Sequence, residues 1–179
     1  MGSNKKNIDE KMKKICDLLL LEGHRLFESD PEPVKFTGDQ DADNLVNDLE
    51  KYPHAFVIGC LLDRQVNAEK AWGAPGKLRE RLNGDFDFKR LDELDKKEIL
   101  ALMDKTPAVH WLLKEMSKNV YKLIARIRDV YEGDASLISR GNPSSAELVY
   151  RFLGFRGIGP KVATMASNIS CQRFQGPYA

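Results

Sequence analysis

The sequence predicts an all-α protein, a helical bundle, and three observations carry that prediction. Over residues 109–131 the apolar positions Leu112, Met116, Val120, Leu123, Ile127 and Val130 advance by three or four, which lines them up on one face of a helix. Nowhere among the 179 residues does an alternating apolar–polar run argue for a strand, and no internal repeat is present. Residues suited to capping, such as Asp9, Asp95 and Ser144, stand at the start of the helical segments.

In chain order, residues 8–27 form the first predicted helix, capped by Asp9, with Ile8, Met12, Ile15, Leu19 and Leu26 as its apolar positions. The stretch ESDPEPVKFTGDQDAD is rich in Pro, Asp and Gly and reads as a linker. A short helix over 43–51 follows. Pro53 then opens a helix through PHAFVIGCLLDRQVNAEKAW, because the first helical turn has no use for the N–H that proline lacks. Residues 55–62 are apolar on every face, the pattern of a helix surrounded by others. GAPGK ends that unit, and short helices are expected over 76–82 and 96–103, the second capped by Asp92 or Asp95. The helix over 109–131 keeps Lys114, Lys118, Lys122 and Arg126 off its apolar stripe. EGDAS stops it; a helix over 144–153, capped by Ser144 or Ser145, is closed by Gly154, and another begins near Pro160.

The formal net charge of +1 neither demands nor excludes a polyanionic partner, so an electrostatic footprint has to be local. One such asymmetry exists: after Glu147 the chain carries Arg151, Arg156, Lys161 and Arg173 and no Asp or Glu. Cys16, Cys60 and Cys171 lack the paired spacing of a zinc or cluster site, so no metal site is predicted, and their odd count points to a reducing compartment and buried thiols. His24, His54 and His110 are equally scattered and read as core or surface residues. The run Leu18 to Leu21 is far too short to cross a membrane; no membrane association is predicted, and the expected location is the cytoplasm.

The segment FLGFRGIGPKVATMASNI concentrates the functional signal. Gly157 and Gly159 allow a tight turn and leave no side chain in the way of an approaching surface. A helix opening at Pro160 presents unpaired N–H groups with partial positive charge, a seat for an anion and for phosphate above all. The same Gly-x-Gly spacing also serves as a plain connection between helices. Helices over 144–153 and 161–169 flank the turn, giving a helix–hairpin–helix. Ile158 is expected to tuck inward while the neighbouring amides face a phosphate, a contact that positions a protein on a duplex without reading its sequence.

FRGIGPKVATMASNI resembles the helix–hairpin–helix of the endonuclease III-like DNA glycosylases, the HhH-GPD superfamily, whose pattern is Leu-Pro-Gly-Val-Gly-Arg-Lys-Thr-Ala. Phe155, Gly157, Ile158, Gly159, Lys161 and Ala163 match by type and spacing, and Arg156 stands where the family usually has proline. FVIGCLLDRQVNAEKAW is similar to the family's early core helix and following loop, with Asp63-Arg64-Gln65 in place of its Ser-x-Gln. The resemblance implies a division into an N-terminal helical segment and linker (1–51), a six-helix-type glycosylase core (52–169, with the hairpin at 144–169) and an unassigned tail (170–179).

By the same resemblance, Arg156, Gly157, Ile158 and Gly159 form a DNA-binding turn whose carbonyls also suit a monovalent cation. Gln65 enters the duplex where a damaged base is flipped out, filling a gap that costs a few kcal/mol of stacking and pairing to open. On the residues alone Gln65 is a solvated residue at a helix end. Lys161 corresponds to the lysine that attacks the sugar C1′ in the bifunctional members, ahead of strand nicking by β-elimination. That attack needs a neutral amine, whereas a free lysine has a pKa of about 10.4; a helix N-terminus, Arg156 and partial desolvation all lower it. The alternative role for Lys161 is phosphate contact alone.

The family's catalytic aspartate falls at or past Ala179, and CQRFQGPYA does not resemble the family. Its cluster cysteines lie further on, so no cofactor is assigned to this chain and an iron–sulfur cluster would require residues beyond it. A truncated form leaves the apolar face of 8–27 partly uncovered, which invites self-association. The leading expectation is a nucleoid-associated base-excision repair glycosylase with abasic-site lyase activity, acting on double-stranded DNA that carries a damaged base or abasic site. The alternatives are a non-catalytic DNA-binding hairpin module and a helical protein-interaction domain. His110, Trp111 and Tyr121 are candidates for a base pocket, with core packing the preferred role for the aromatics.

Overall fold

The structure, a computed structural model, describes residues 2–28 and 33–174. Its contacts part the chain into two compact units, residues 1–32 and 33–179. In the first unit α1 (Gly2–Glu28) is one continuous helix. It begins before Asp9, which lies inside the helix rather than capping it; between Gly2 and Asp9 no Gly or Pro interrupts the helix. The side chains of Ile8, Asp9 and Leu26 lie outside the described residues. Met12, Ile15 and Leu18 to Leu21 are exposed. Cys16 is exposed like its neighbours on α1, against the expectation of buried thiols; Cys60 is buried and Cys171 partly so.

The second unit starts before residue 51, because α2 (Gln40–Asn47) packs on α3 (Pro53–Leu62) and α5 (Ala74–Arg81). Asp39 sets the start of α2 by accepting from the Asp41 and Ala42 amides. Buried Asp43 fastens the preceding segment, accepting from the Phe36 and Thr37 amides and from the Thr37 hydroxyl. Every residue of α3 is buried, as its unbroken apolar pattern predicts. Gly59 is what lets α3 meet Trp72, since a Cβ there would lie 2.7 Å from the indole. Phe36 stacks on the same ring at 3.9 Å, and Phe56, Phe86 and Phe152 join this core.

Three expectations are corrected around it. The helix from Pro53 breaks at residues 63–67 and resumes as α4 (Ala68–Trp72), because Asn67 caps a new start by accepting from the Lys70 amide. GAPGK opens α5 rather than ending a unit: Pro75 sits in the first turn, where its missing N–H costs nothing. A further short helix, α6 (Phe88–Asp92), precedes α7 (Lys96–Asp104), which begins on Asp95 with a reciprocal box to Glu98. Arg81 ties α5 to the end of α7 by donating to the carbonyls of Leu102, Lys105 and Pro107.

The long helix α8 runs Leu113–Val130 and starts later than its pattern predicts, because the His110 ring captures the Leu112 amide. Met116, Val120, Leu123 and Ile127 are buried on it, while Val130, 54% exposed in the last turn, has run past the core. A 3-10 turn (Ala135–Ile138) leads to α9 (Ser145–Leu153), capped by the Ser144 hydroxyl and closed at Gly154. α10 (Pro160–Phe174) packs along α9 and takes in residues 170–174, which the sequence leaves in an unassigned tail; residues 175–179 lie outside the described ones. Among the described residues the fold is all-α, and no helix is long and apolar enough to cross a membrane.

Candidate nucleic-acid interface

The bend between α9 and α10 is anchored by its apolar residues and opened by its glycines. Phe155 and Ile158 are buried, the second tucked inward as expected, and the Ile158 amide donates to the Phe155 carbonyl at 3.1 Å. Gly157 has φ 102°, in the left-handed region, and a Cβ there would meet Leu61 at 2.8 Å and the Asn119 amide nitrogen at 2.9 Å. Only glycine fits both constraints. Gly159 is different: a Cβ there would meet nothing within 4 Å. The Ala163 amide returns to the Gly159 carbonyl at 2.9 Å, which starts α10. Among the described residues no backbone carbonyl accepts from Gly157, Gly159, Lys161 or Val162, the orphan donors of a helix entrance.

Positive charge gathers at this bend from several elements. Arg156 and Lys161 are exposed on it. The Arg126 guanidinium presses against Gly154 and lies 5.4 Å over the Phe155 ring, with its buried Nε unpaired. On α8, Lys122 is held below the ordinary lysine range, first by Arg156, then by burial, Lys118 and Lys96. The charged groups that lower it, Arg156, Lys118 and Lys96, are all cations. A groove of about 900 Å³ between α2, α4 and α5 offers a contrast: Asp39, Asp41, Glu69 and Glu80 line it together with Lys70, Lys77 and Arg79, so its charge is mixed. Among the described residues no cluster of His, Cys, Asp and Glu could hold a metal ion.

Gln65 occupies a second bend, the 63–67 loop at the end of α3, where it is exposed with φ 56°. Three ties hold that loop. The buried His110 ring accepts the Leu112 amide at Nδ1 (3.0 Å), which leaves Nε2 as the protonated nitrogen that donates to the Arg64 carbonyl at 3.0 Å. Burial pushes the His110 pKa down, in keeping with this neutral ring. Trp111 Nε1 donates to the Gln65 carbonyl at 3.2 Å, and Arg64 pairs with Glu115 at 2.6 Å. Trp111 is 60% exposed, which corrects its assignment to the core: its N–H partner lies on a surface loop, and the indole stays there with it. Tyr121 is half-buried, with Lys96 over its ring.

Arg156, Gly157, Ile158, Gly159 and Lys161 therefore share one bend. Gln65 stands on the neighbouring one. Leu61, in the last turn of α3, touches the Gly157 position, and four residues of chain limit the Leu61–Gln65 Cα separation to about 15 Å. Sequence reasoning missed Asn119 and Arg126 as the floor of the turn and Trp111 as an exposed ring beside Gln65. The four-residue spacing of the α8 cations was a visible signal for the basic surface; nothing marked Trp111. No family model, curated protein or solved structure matches this chain.

Proposed function

We propose that the chain is a DNA-repair glycosylase core that grips the backbone of damaged duplex DNA at the Gly157–Gly159 turn. The observation that carries this reading is the conjunction at one bend of amides without a backbone partner among the described residues, a glycine whose Cβ would meet nothing, and the cations Arg126, Arg156, Lys161 and Lys122. A phosphodiester satisfies all three. The resemblance of FRGIGPKVATMASNI to the helix–hairpin–helix of the HhH-GPD glycosylases supports the same partner. So does the exposed Trp111 ring beside Gln65, because an aromatic face is a stacking surface for a base next to an extruded one.

On this reading Lys161, in the first turn of α10 beside the phosphate seat, acts on the sugar next to that phosphate. Its neutral amine bonds to C1′ as the base leaves with the glycosidic electron pair and takes a proton from the new ammonium; the C1′–O4′ bond then opens, O4′ keeping the bonding pair and taking a proton from solvent, which leaves a protonated Schiff base between Lys161 and C1′. Loss of a proton from C2′ then expels the 3′ phosphate. The second reading is a hairpin that binds DNA without catalysis, with Lys161, exposed in the first turn of α10, as a phosphate contact.

Gly159→Leu separates grip from fold, since a Cβ at that position meets nothing within 4 Å. The variant should melt with the parent yet bind an abasic-site duplex about tenfold to a hundredfold more weakly, the value of one or two charge-assisted hydrogen bonds. Borohydride trapping on the same duplex should give a covalent complex that Lys161→Ala abolishes. Binding without trapping would leave the non-catalytic reading, and no binding at low salt would remove both.

A further inference from the structure

Of the lysines of α8 only Lys122 has been placed at the bend; Lys114 and Lys118 continue the same row away from it. Lys114, Lys118 and Lys122 follow one another at intervals of four, so they form a single ridge along the helix, rising about 6 Å per step and about 12 Å in all. Lys114 and Lys118 are exposed and Lys122 is half-buried. The ridge has a fixed position relative to both bends. At one end the turn rests on α8 through Asn119 beneath Gly157 and Arg126 against Gly154. At the other, Glu115 follows Lys114 and holds Arg64, the neighbour of Gln65. Glu115 is thereby engaged by Arg64 at 2.6 Å instead of neutralising the lysines beside it. The next carboxylate along the helix, Asp129, pairs with Arg128.

Resting on the proposed function, we infer that Lys114, Lys118 and Lys122 form a second set of DNA phosphate contacts, a track along α8 from the glycine turn toward the Gln65 loop. The dimensions agree with such a track. One strand of duplex presents a phosphate per about 3.4 Å of axis, so a ridge of about 12 Å faces roughly three of them. Lysine suits this task, since a mobile ammonium meets a phosphate as a point charge and needs no fixed orientation. The track also gives the chain a reason to hold a nearly neutral overall charge: the polyanion is directed to one helix face rather than attracted everywhere.

The experiment is a salt series of fluorescence anisotropy on the full chain with an abasic-site duplex. Three proteins are compared with the parent: Lys114→Gln/Lys118→Gln/Lys122→Gln, Gly159→Leu, and Lys11→Gln/Lys13→Gln/Lys14→Gln on exposed positions of α1, which removes the same charge elsewhere. Glutamine keeps most of each stem, and circular-dichroism melting confirms that the variants fold. The expected result is that the α8 triple variant flattens the slope of log affinity against log salt by two to three, about 0.9 for each phosphate no longer neutralised, while the α1 triple changes it by less than one. An unchanged slope in the α8 variant, with Gly159→Leu still impaired, overturns the track and leaves the turn. An equal effect of the α1 variant also overturns it, because the weakening then follows net charge. A flattened slope in the α8 variant while Gly159→Leu binds like the parent supports the track and removes the turn.

Discussion

The turn between α9 and α10 and the 63–67 loop both bend the backbone through the left-handed region, at Gly157 (φ 102°) and at Gln65 (φ 56°), but they are held in opposite ways. The turn is supported from beneath. Leu61 and Asn119 fill the space where a Cβ would stand, and Phe155 and Ile158 are buried at its base, so its main chain is left for whatever approaches. The loop is held by its carbonyls instead, which accept from His110 and Trp111 and leave the Gln65 side chain free. A bend that works through its backbone must have its glycine where it has it. One that works through a side chain is vulnerable at its ties.

The comparison is tested most severely at Gly157. In Gly157→Ala the left-handed φ costs about 1–2 kcal/mol and the overlap with Leu61 and Asn119 adds a similar amount. A loss of about 3 kcal/mol should lower the melting temperature by about 6–12 °C for a chain of this size. A melt within a degree of the parent would mean that the turn is not clamped from below, and the contrast with Gly159 would collapse.

His110→Ala attacks the other bend at its ties. It deletes the donor to the Arg64 carbonyl and the acceptor of the Leu112 amide, and should cost about 2 kcal/mol. The pH dependence sharpens this. Burial lowers the folded-state pKa of His110 and, independently, of His54, whose Nε2 lies 2.7 Å from the Phe86 carbonyl. Below about pH 6.5 the unfolded histidines take up protons that the folded ones refuse, so stability is full above that value. It falls as pH drops from there through the lowered folded values. Urea midpoints at pH 7.5 and 5.5 should show this fall in the parent and a smaller one in His110→Ala, where only His54 remains. Equal falls in the two proteins would show that His110 does not titrate as a buried neutral ring.

How much of this was legible follows from how local each signal is. The uniform apolarity of 55–62 and the stripe on α8 announce burial from neighbouring residues alone, and the caps at Asp95 and Ser144 are equally local. GAPGK misleads because Gly and Pro also suit a helix start, and what settles the matter is tertiary: Gly76 lies against Ala42 of α2. The bend at 154–159 could be read from its glycines, but its floor could not. Asn119 and Arg126 come from another helix far back in the chain, and no spacing rule links them to Gly157 or Gly154. Trp111 was unreadable for a related reason, since the carbonyl that keeps its indole at the surface belongs to Gln65.

The smallest expected effect discriminates between two ways of fastening the Gln65 loop. Arg64 and Glu115 approach to 2.6 Å, the closest polar contact on that loop, and geometry alone would make the ion pair its principal clamp. Both side chains are roughly half exposed, however, at 41% and 50%, so water and salt weaken the attraction that the short distance promises. Glu115→Gln should therefore cost no more than about 0.5 kcal/mol, against about 2 kcal/mol for His110→Ala, and the Glu115→Gln effect should vanish in molar salt. The neutral bonds from His110 and Trp111 to main-chain carbonyls, one of them from a buried ring, are not screened in this way. If Glu115→Gln destabilised the protein as much as His110→Ala, the loop would be an electrostatically held element, and its conformation would loosen as salt rises.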